Sequence, residues 1–240
     1  MNGPRLRIMT YNIRSGRGTD DRTDLRRISD VIRSFAPDVL ALQEVDCGRL
    51  RSGSVDQAAA LAEELGMSAT FAPCIASGDE RYGIATLSRL PVRAARQIEL
   101  PHRANLPRSE PRRALVTRIE LAPDRAIEIV NTHLSVRRRE RHAQVAAIAA
   151  ALDSGDLVVA GDLNCTRRSG PFRALCAGLR PAARGARSWP ARLPIVQIDH
   201  ILYRGRIAVV TSGAWTAGPA RLASDHLPVV AELALEEIAA

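Results

Sequence analysis

One plan occurs twice in this chain and narrows the folds open to it: an apolar strand that ends in polar side chains, an amphipathic helix, and a second apolar strand with the same kind of ending. In the first half, Leu6 to Ile13 reads as a strand with Asn12 near its rim. Leu25, Ile28, Val31, Ile32 and Phe35 then fall at helical spacing behind Asp24 as N-cap and ahead of Pro37 as a stop. Asp38 to Leu42 follows as a buried strand whose end carries Gln43 and Glu44. In the second half, Ile127 to Asn131 leads to His133, and a helix from Arg138 to Leu152 presents Val145, Ile148, Ala149 and Leu152 on one face. Leu157 to Ala160 then ends at Asp162 and Asn164, two apart and so expected on one side of the pleat. That pair has two readings: an Asx-type turn, or a carboxylate and an amide fixed where they could hold a water, a metal or a phosphate oxygen.

Two such halves packed sheet on sheet, with helices outside, bring Asn12, Glu44, His133 and Asp162 to one edge. Between the halves, Thr70 to Pro73, Tyr82 to Ser88, Val92 to Leu100, Arg113 to Leu121 and Arg125 to His133 look like strands separated by Pro and Gly turns, which points to antiparallel pairing. Ser54 to Leu65, closed by Gly66, and Ser169 to Cys176, with Pro171 near its start, read as further helices. Gln197 to Leu202, Ile207 to Thr211 and Leu227 to Leu233 complete the strands. The segment from Pro101 to Pro111 reads as an exposed loop on the active rim, and another arginine-rich loop runs through Arg192. The chain of 240 residues is expected to form a single domain over 1–240.

The net charge of +8 favours a polyanionic partner, yet every basic residue is arginine, so the excess fits a GC-rich genome equally well. Cys47, Cys74, Cys165 and Cys176 have no close spacing, against a zinc knuckle or a disulfide framework. No apolar run is long enough to cross a membrane and no leader precedes Leu6, so the expected location is the cytoplasm. Aromatic content of 3% leaves few platforms for stacked bases, and no apolar hairpin suited to a lipid surface is legible.

The polar groups at strand ends are Asn12, Glu44, Asn131, His133, Asp162, Asn164, Asp199, Asp225 and His226. Singly, each has a structural explanation; Asp199 and Asp225 could simply cap loops. Their repeated placement at apolar strand ends argues for a shared site, and oxygen ligands without thiolates favour Mg2+ or Mn2+.

The segments TYNI (Thr10 to Ile13), LQEV (Leu42 to Val45), YGIATLSRLPV (Tyr82 to Val92), NTHL (Asn131 to Leu134), GDLN (Gly161 to Asn164), IDHIL (Ile198 to Leu202) and SDHLPV (Ser224 to Val229) together resemble, in order, the endonuclease/exonuclease/phosphatase superfamily of metal-dependent phosphoesterases. The resemblance implies an α+β fold, a four-layer αββα sandwich of two packed mixed sheets with helices outside and the site at their top. It implies Glu44 as principal metal ligand, aided by Asn12 and Asp225, with Asp162 and Asn164 orienting the attacking water and the phosphoryl oxygens. His226, paired with Asp199, would be general base or cationic clamp, and His133 would stabilise or protonate the leaving oxygen, with Glu80 in a place comparable to a supporting glutamate. Asn131, Arg51 and Arg112 are candidate substrate contacts, with Arg113 beside them; as loop arginines they could equally be solvated.

The activity so implied is a Mg2+-dependent phosphodiesterase, a nuclease ahead of a phospholipid phosphodiesterase or a phosphomonoesterase, with a silent binding domain as the remaining alternative. The expected partner is a phosphoester, nucleic acid without sequence specificity included, and the expected state a monomer.

Overall fold

The computed structural model describes residues 4–123 and 125–236. Its strands are β1 (Arg5–Asn12), β2 (Val39–Cys47), β3 (Ser68–Ser77), β4 (Glu80–Ser88), β5 (Val92–Leu100), β6 (Arg112–Ala122), β7 (Arg125–His133), β8 (Leu157–Asp162), β9 (Arg180–Pro181), β10 (Asp199–Arg204), β11 (Ile207–Ala214) and β12 (Val229–Leu235). The helices are α1 (Leu25–Phe35), α2 (Gln57–Leu65), α3 (Arg138–Ala151), α4 (Gly170–Leu175) and α5 (Ala220–Ala223). Asp24 caps α1 by accepting from the Arg26 N–H, and Ala36 ends it in the left-handed conformation ahead of Pro37. The α2 helix starts later than the sequence suggested, because Asp56, not Ser54, accepts from the Ala59 N–H as its N-cap.

The strands form two six-stranded sheets, in the orders β11-β12-β1-β2-β4-β3 and β5-β6-β7-β8-β10-β9. Each sheet has one parallel pair at its centre, β1 with β2 and β7 with β8, joined across the outside by α1 and α3 respectively. All other pairings are antiparallel. The result is the four-layer αββα sandwich, and its layers follow from strand alternation. Along β1, Met9 and Tyr11 join Leu40, Leu42, Ile28, Ile32 and Leu61 beneath α1 and α2. The intervening Leu6 and Ile8 meet Val39, Ala41, Ile127, Ile129, Val158, Ala160 and Ile201 between the sheets. Leu157, Val159 and Leu202 turn outward to Val145, Ile148 and Phe172 under α3 and α4. Gly161 keeps the β7–β8 pair close, since a Cβ there would collide with the Thr132 carbonyl oxygen.

One strand departs from its expected course. The β2 strand continues through Cys47, and its pairing with β4 shifts between Leu42 and Val45. Gln43 and Glu44 therefore sit at a bulge inside the strand and not at its end, with Glu44 at φ 55°. Strict alternation would send Glu44 under the helices with Leu42; the bulge turns its carboxylate to the Asn12 amide instead, at 2.8 Å.

Candidate active site

The rows that face the other sheet change character toward one end of the sandwich. Ile8 is followed at alternate positions by Thr10 and Asn12, Ala41 by Gln43, Ile129 by Asn131 and His133, and Ala160 by Asp162, while Asp199 opens the row that continues with Ile201. The site is thus the polar continuation of the core between the sheets. Its polar side chains are almost fully buried, Asn12 and Asp199 at 0% exposure and Asp162 at 1%.

Asn12 ties the two sheets together there. Its amide nitrogen donates to Glu44 Oε1 at 2.8 Å and to Asp162 Oδ2 at 3.1 Å, so carboxylates from opposite sheets converge on one side chain. Asp162 Oδ2 is also 3.5 Å from His133 Nε2 and 3.8 Å from His226 Nε2. Behind it, His226 Nδ1 and Asp199 Oδ2 are 2.9 Å apart. Burial, then the charge of Asp199, pushes the Asp162 carboxyl up, and His226 and the hydrogen bonds from Asn164 and Asn12 only partly offset this.

The two histidines sit in opposite electrostatic surroundings. Burial disfavours the His226 cation, but the charges of Asp199 and Asp162, with the hydrogen bond to Asp199, outweigh it and raise the ring well above the ordinary histidine range. Burial and the Arg112 guanidinium lower His133. Arg112 Nη1 lies 2.7 Å from His133 Nδ1, and because a guanidinium only donates, that ring nitrogen accepts and the ring proton is on Nε2, facing Asp162. One imidazole is held as a cation and the other as a neutral donor.

Several candidates stand elsewhere than the sequence suggested. Asn131 does not face a substrate: it is fully buried, accepts from Gln43 Nε2 at 2.8 Å, and donates to the Leu42 and Ala85 carbonyls at 3.0 and 2.8 Å. Asn164 lies beyond the end of β8 at φ 49°, so it does not share a pleat with Asp162. Its N–H donates to Asp162 Oδ1 at 2.8 Å in an Asx-type turn, and its amide donates to the Leu134 carbonyl at 2.9 Å, holding Asp162 in place. Arg112 is buried between His133 and Glu110, with Nη2 2.9 Å from Glu110 Oε2, and is no loop arginine. Arg113 instead pairs with Glu99 across the β5–β6 edge at 2.8 Å. The support for His133 comes from Arg112; Glu80 accepts from the Leu50 N–H at 3.2 Å. Trp215 packs edge-on against Phe35, ring centroids 5.1 Å apart, away from the cleft.

A cleft of about 400 Å³ opens beside Glu44, lined by Arg14, Ser15, Arg17, Asp21, Thr23 and Arg51. Arg51 is clamped by Asp46, at 2.8 Å from Nε and 2.7 Å from Nη2, yet its side chain remains 53% exposed at the mouth. Arg14 and Ser15, absent from the sequence-based candidates, follow β1 with φ 48° and 52°. The Gln57 amide holds this turn by donating to the Ser15 carbonyl at 2.8 Å. Arg14 Nε is also 3.8 Å from Asp225 Oδ2, which places Asp225 at the same mouth.

Among the described residues, Asp162, Asp199 and His226 bring possible ligand atoms within 4.8 Å of one another. Asp199 Oδ2 and His226 Nδ1 are occupied with each other, however, and only Asp199 Oδ1 of that pair of carboxylate oxygens is left without a hydrogen-bond partner. The oxygen donors around Asn12, namely Glu44 and Asp162, fit a hard divalent cation better. Asp162 is a carboxylate whose buried charge lacks a full counterion, and Glu44 opens to the cleft.

A family model described as the endonuclease/exonuclease/phosphatase family matches residues 9–226. The uncharacterized protein YbhP of Escherichia coli K12 is 27% identical over 254 residues, covering 96% of each chain. Among solved structures, an endonuclease/exonuclease/phosphatase from Beutenbergia cavernae superposes with a TM-score of 0.79 at 24% identity, covering 97% of this chain and 72% of that one. The human Nocturnin catalytic domain with bound sulfate gives 0.77 at 22%, covering 98% and 96%. The mannosyl-6-phosphatase of Bacteroides thetaiotaomicron gives 0.75 at 17%, covering 96% and 100%. The similarity to these structures is one of fold.

Proposed function

The chain belongs to the endonuclease/exonuclease/phosphatase family, and from that membership we propose that it is a Mg2+-dependent phosphodiesterase whose ester binds between Asp162, His133 and His226. The observation that carries this reading is the meeting of Glu44 from one sheet and Asp162 from the other on the Asn12 amide. Glu44, Asn12 and Asp225 would hold the cation, with Asp162 facing the same ion from the other sheet and Mn2+ as a substitute. A divalent ion there supplies charge neutralisation at the phosphoryl oxygens.

The chain's own groups divide the remaining work. Asp162, fixed by the Asn164 turn, orients the attacking water along the line of displacement. His226, held by Asp199, serves as the cationic clamp on a phosphoryl oxygen; its strongly favoured proton supports that role over general base. His133, neutral and donating from Nε2, stabilises the leaving oxygen by a hydrogen bond, and Arg112 fixes its tautomer. The arginines of the cleft beside Glu44 leave room for the second ester arm and its charge.

The test is hydrolysis of bis-p-nitrophenyl phosphate, p-nitrophenyl phosphate and supercoiled plasmid, each with Mg2+ or EDTA. The reading expects diester hydrolysis with Mg2+, its loss in EDTA, and little action on the monoester. Faster hydrolysis of the monoester would make the protein a phosphomonoesterase. Activity no higher than that of Asp162→Ala on every ester would favour a binding domain.

A further inference from the structure

The described residues leave eight large apolar side chains exposed; six of them sit in connections at the end of the sandwich that carries the site, Leu222 is on the short helix α5, and Val210 is on β11. The most exposed belong to different loops: Leu50 at 75% follows β2, Val136 at 50% follows β7, and Leu193 at 73% with Ile195 at 61% precede β10. Arginines accompany each of them. Arg49 and Arg51 flank Leu50, Arg137 follows Val136, and Arg192 precedes Leu193.

The loop before β10, which reads in sequence as arginine-rich, is a braced hairpin. The Ser188 N–H donates to the Val196 carbonyl at 2.9 Å, Ile195 and Val196 N–H donate to the Trp189 carbonyl at 3.0 Å, and the apolar pair stands at the tip. The hairpin is tied to the site itself: the Ala191 N–H donates to the Asp225 carbonyl at 2.7 Å, and Arg221 Nη1 donates to the Ala191 and Arg192 carbonyls at 3.2 and 3.0 Å. Leu193 and Ile195 are therefore held outward by fixed backbone. On its flank an open cleft of about 490 Å³ is lined by Arg167, Arg168, Arg187 and Ile195.

We propose that this rim docks on an anionic phospholipid bilayer, with Leu193 and Ile195 inserted below the headgroups, and that the ester cleaved is a phosphodiester borne by a lipid headgroup. This rests on the phosphodiesterase reading above and names its substrate class. Separate apolar tips with guanidinium groups beside them match the two levels of such a surface, acyl chains beneath and phosphates above. A nucleic acid backbone offers the phosphates but nothing for the tips. Trp189, 39% exposed at the base of the hairpin, falls at the level where indole rings settle in an interface. Because the hairpin is bonded to the Asp225 loop, docking by its tip presents the site to the headgroups.

The experiment uses the full chain in co-sedimentation with vesicles of phosphatidylglycerol and phosphatidylcholine, with vesicles of phosphatidylcholine alone, and in parallel with plasmid DNA. The expected result is sedimentation with the phosphatidylglycerol vesicles, reduced at least about tenfold in the double variant Leu193→Ser, Ile195→Ser. That variant should hydrolyse soluble bis-p-nitrophenyl phosphate at the wild-type rate. In wild-type protein, brominated acyl chains should quench tryptophan fluorescence, and Trp189→Phe should remove the quenching. Undiminished vesicle binding by the double variant would reduce the effect to arginine charge and overturn the docking. So would absence of quenching, or binding of plasmid in place of vesicles. Failure of the wild-type protein to cleave the soluble ester would instead sink the phosphodiesterase reading, so the two failures are separable.

Discussion

Replacing Asp162 with Asn is expected to lower turnover of bis-p-nitrophenyl phosphate by at least about 10³-fold, the scale seen when a preorganised electrostatic group is removed from a reacting centre. Asp162 lies within reach of Asn12, His133 and His226 together. The same substitution should leave the protein folded and at least as stable as wild type at neutral pH when divalent ions are absent. Asp162 is raised from 3.8 to about 7 by burial and by Asp199, so the fold holds its proton more tightly than the unfolded chain does. Its contribution to stability is present below the unfolded value and is lost as pH rises through the folded one. The stability of the Asp162→Asn variant relative to wild type without metal should therefore rise between about pH 4 and pH 7. Initial rates with Mg2+ and thermal unfolding across that window check both halves; turnover within tenfold of wild type would remove Asp162 from the chemistry.

The second large effect concerns folding. Asn131→Leu is expected to cost about 3–5 kcal/mol, since it strands three buried partners, the Leu42 and Ala85 carbonyls and the Gln43 amide. Those partners belong to β2 and β4 of one sheet while Asn131 is on β7 of the other, so its amide acts as a polar rivet through the apolar layer. Urea unfolding in EDTA isolates this from any metal effect. A loss below about 1 kcal/mol would show that the sheets are held there by apolar packing alone.

Much of this architecture was legible because the two parallel pairs obey simple periodicities. In β1, α1 and β8 the alternation, the Asp24 cap and the apolar run correctly located the elements, and the motif order pointed to the family. What periodicity could not carry was any position where the backbone leaves its regular path. Glu44 depends on a bulge with positive φ, and Asn164 on a left-handed turn, neither of which has a glycine to signal it. Arg112 looked like one more arginine in a chain rich in them, because nothing local says that its guanidinium is buried against His133 across the strand pair. The cleft arginine Arg14 had a better signal, a glycine two residues on that ends the turn after β1. The apolar tip at Leu193 and Ile195 was hidden by its arginines and becomes visible only once the hairpin bonds fix which side chains point outward.

Everything proposed for the chemistry depends on Glu44 and Asp162, from opposite sheets, serving one and the same divalent ion. Mn2+ binding followed by electron paramagnetic resonance tests that most directly, using wild type, Glu44→Gln, Asp162→Asn and the double variant. The expected outcome is at least about a tenfold loss of affinity in each single variant, with the double variant losing less than the two losses summed, as for groups that share a ligand. Wild-type Mn2+ affinity in either single variant would contradict it.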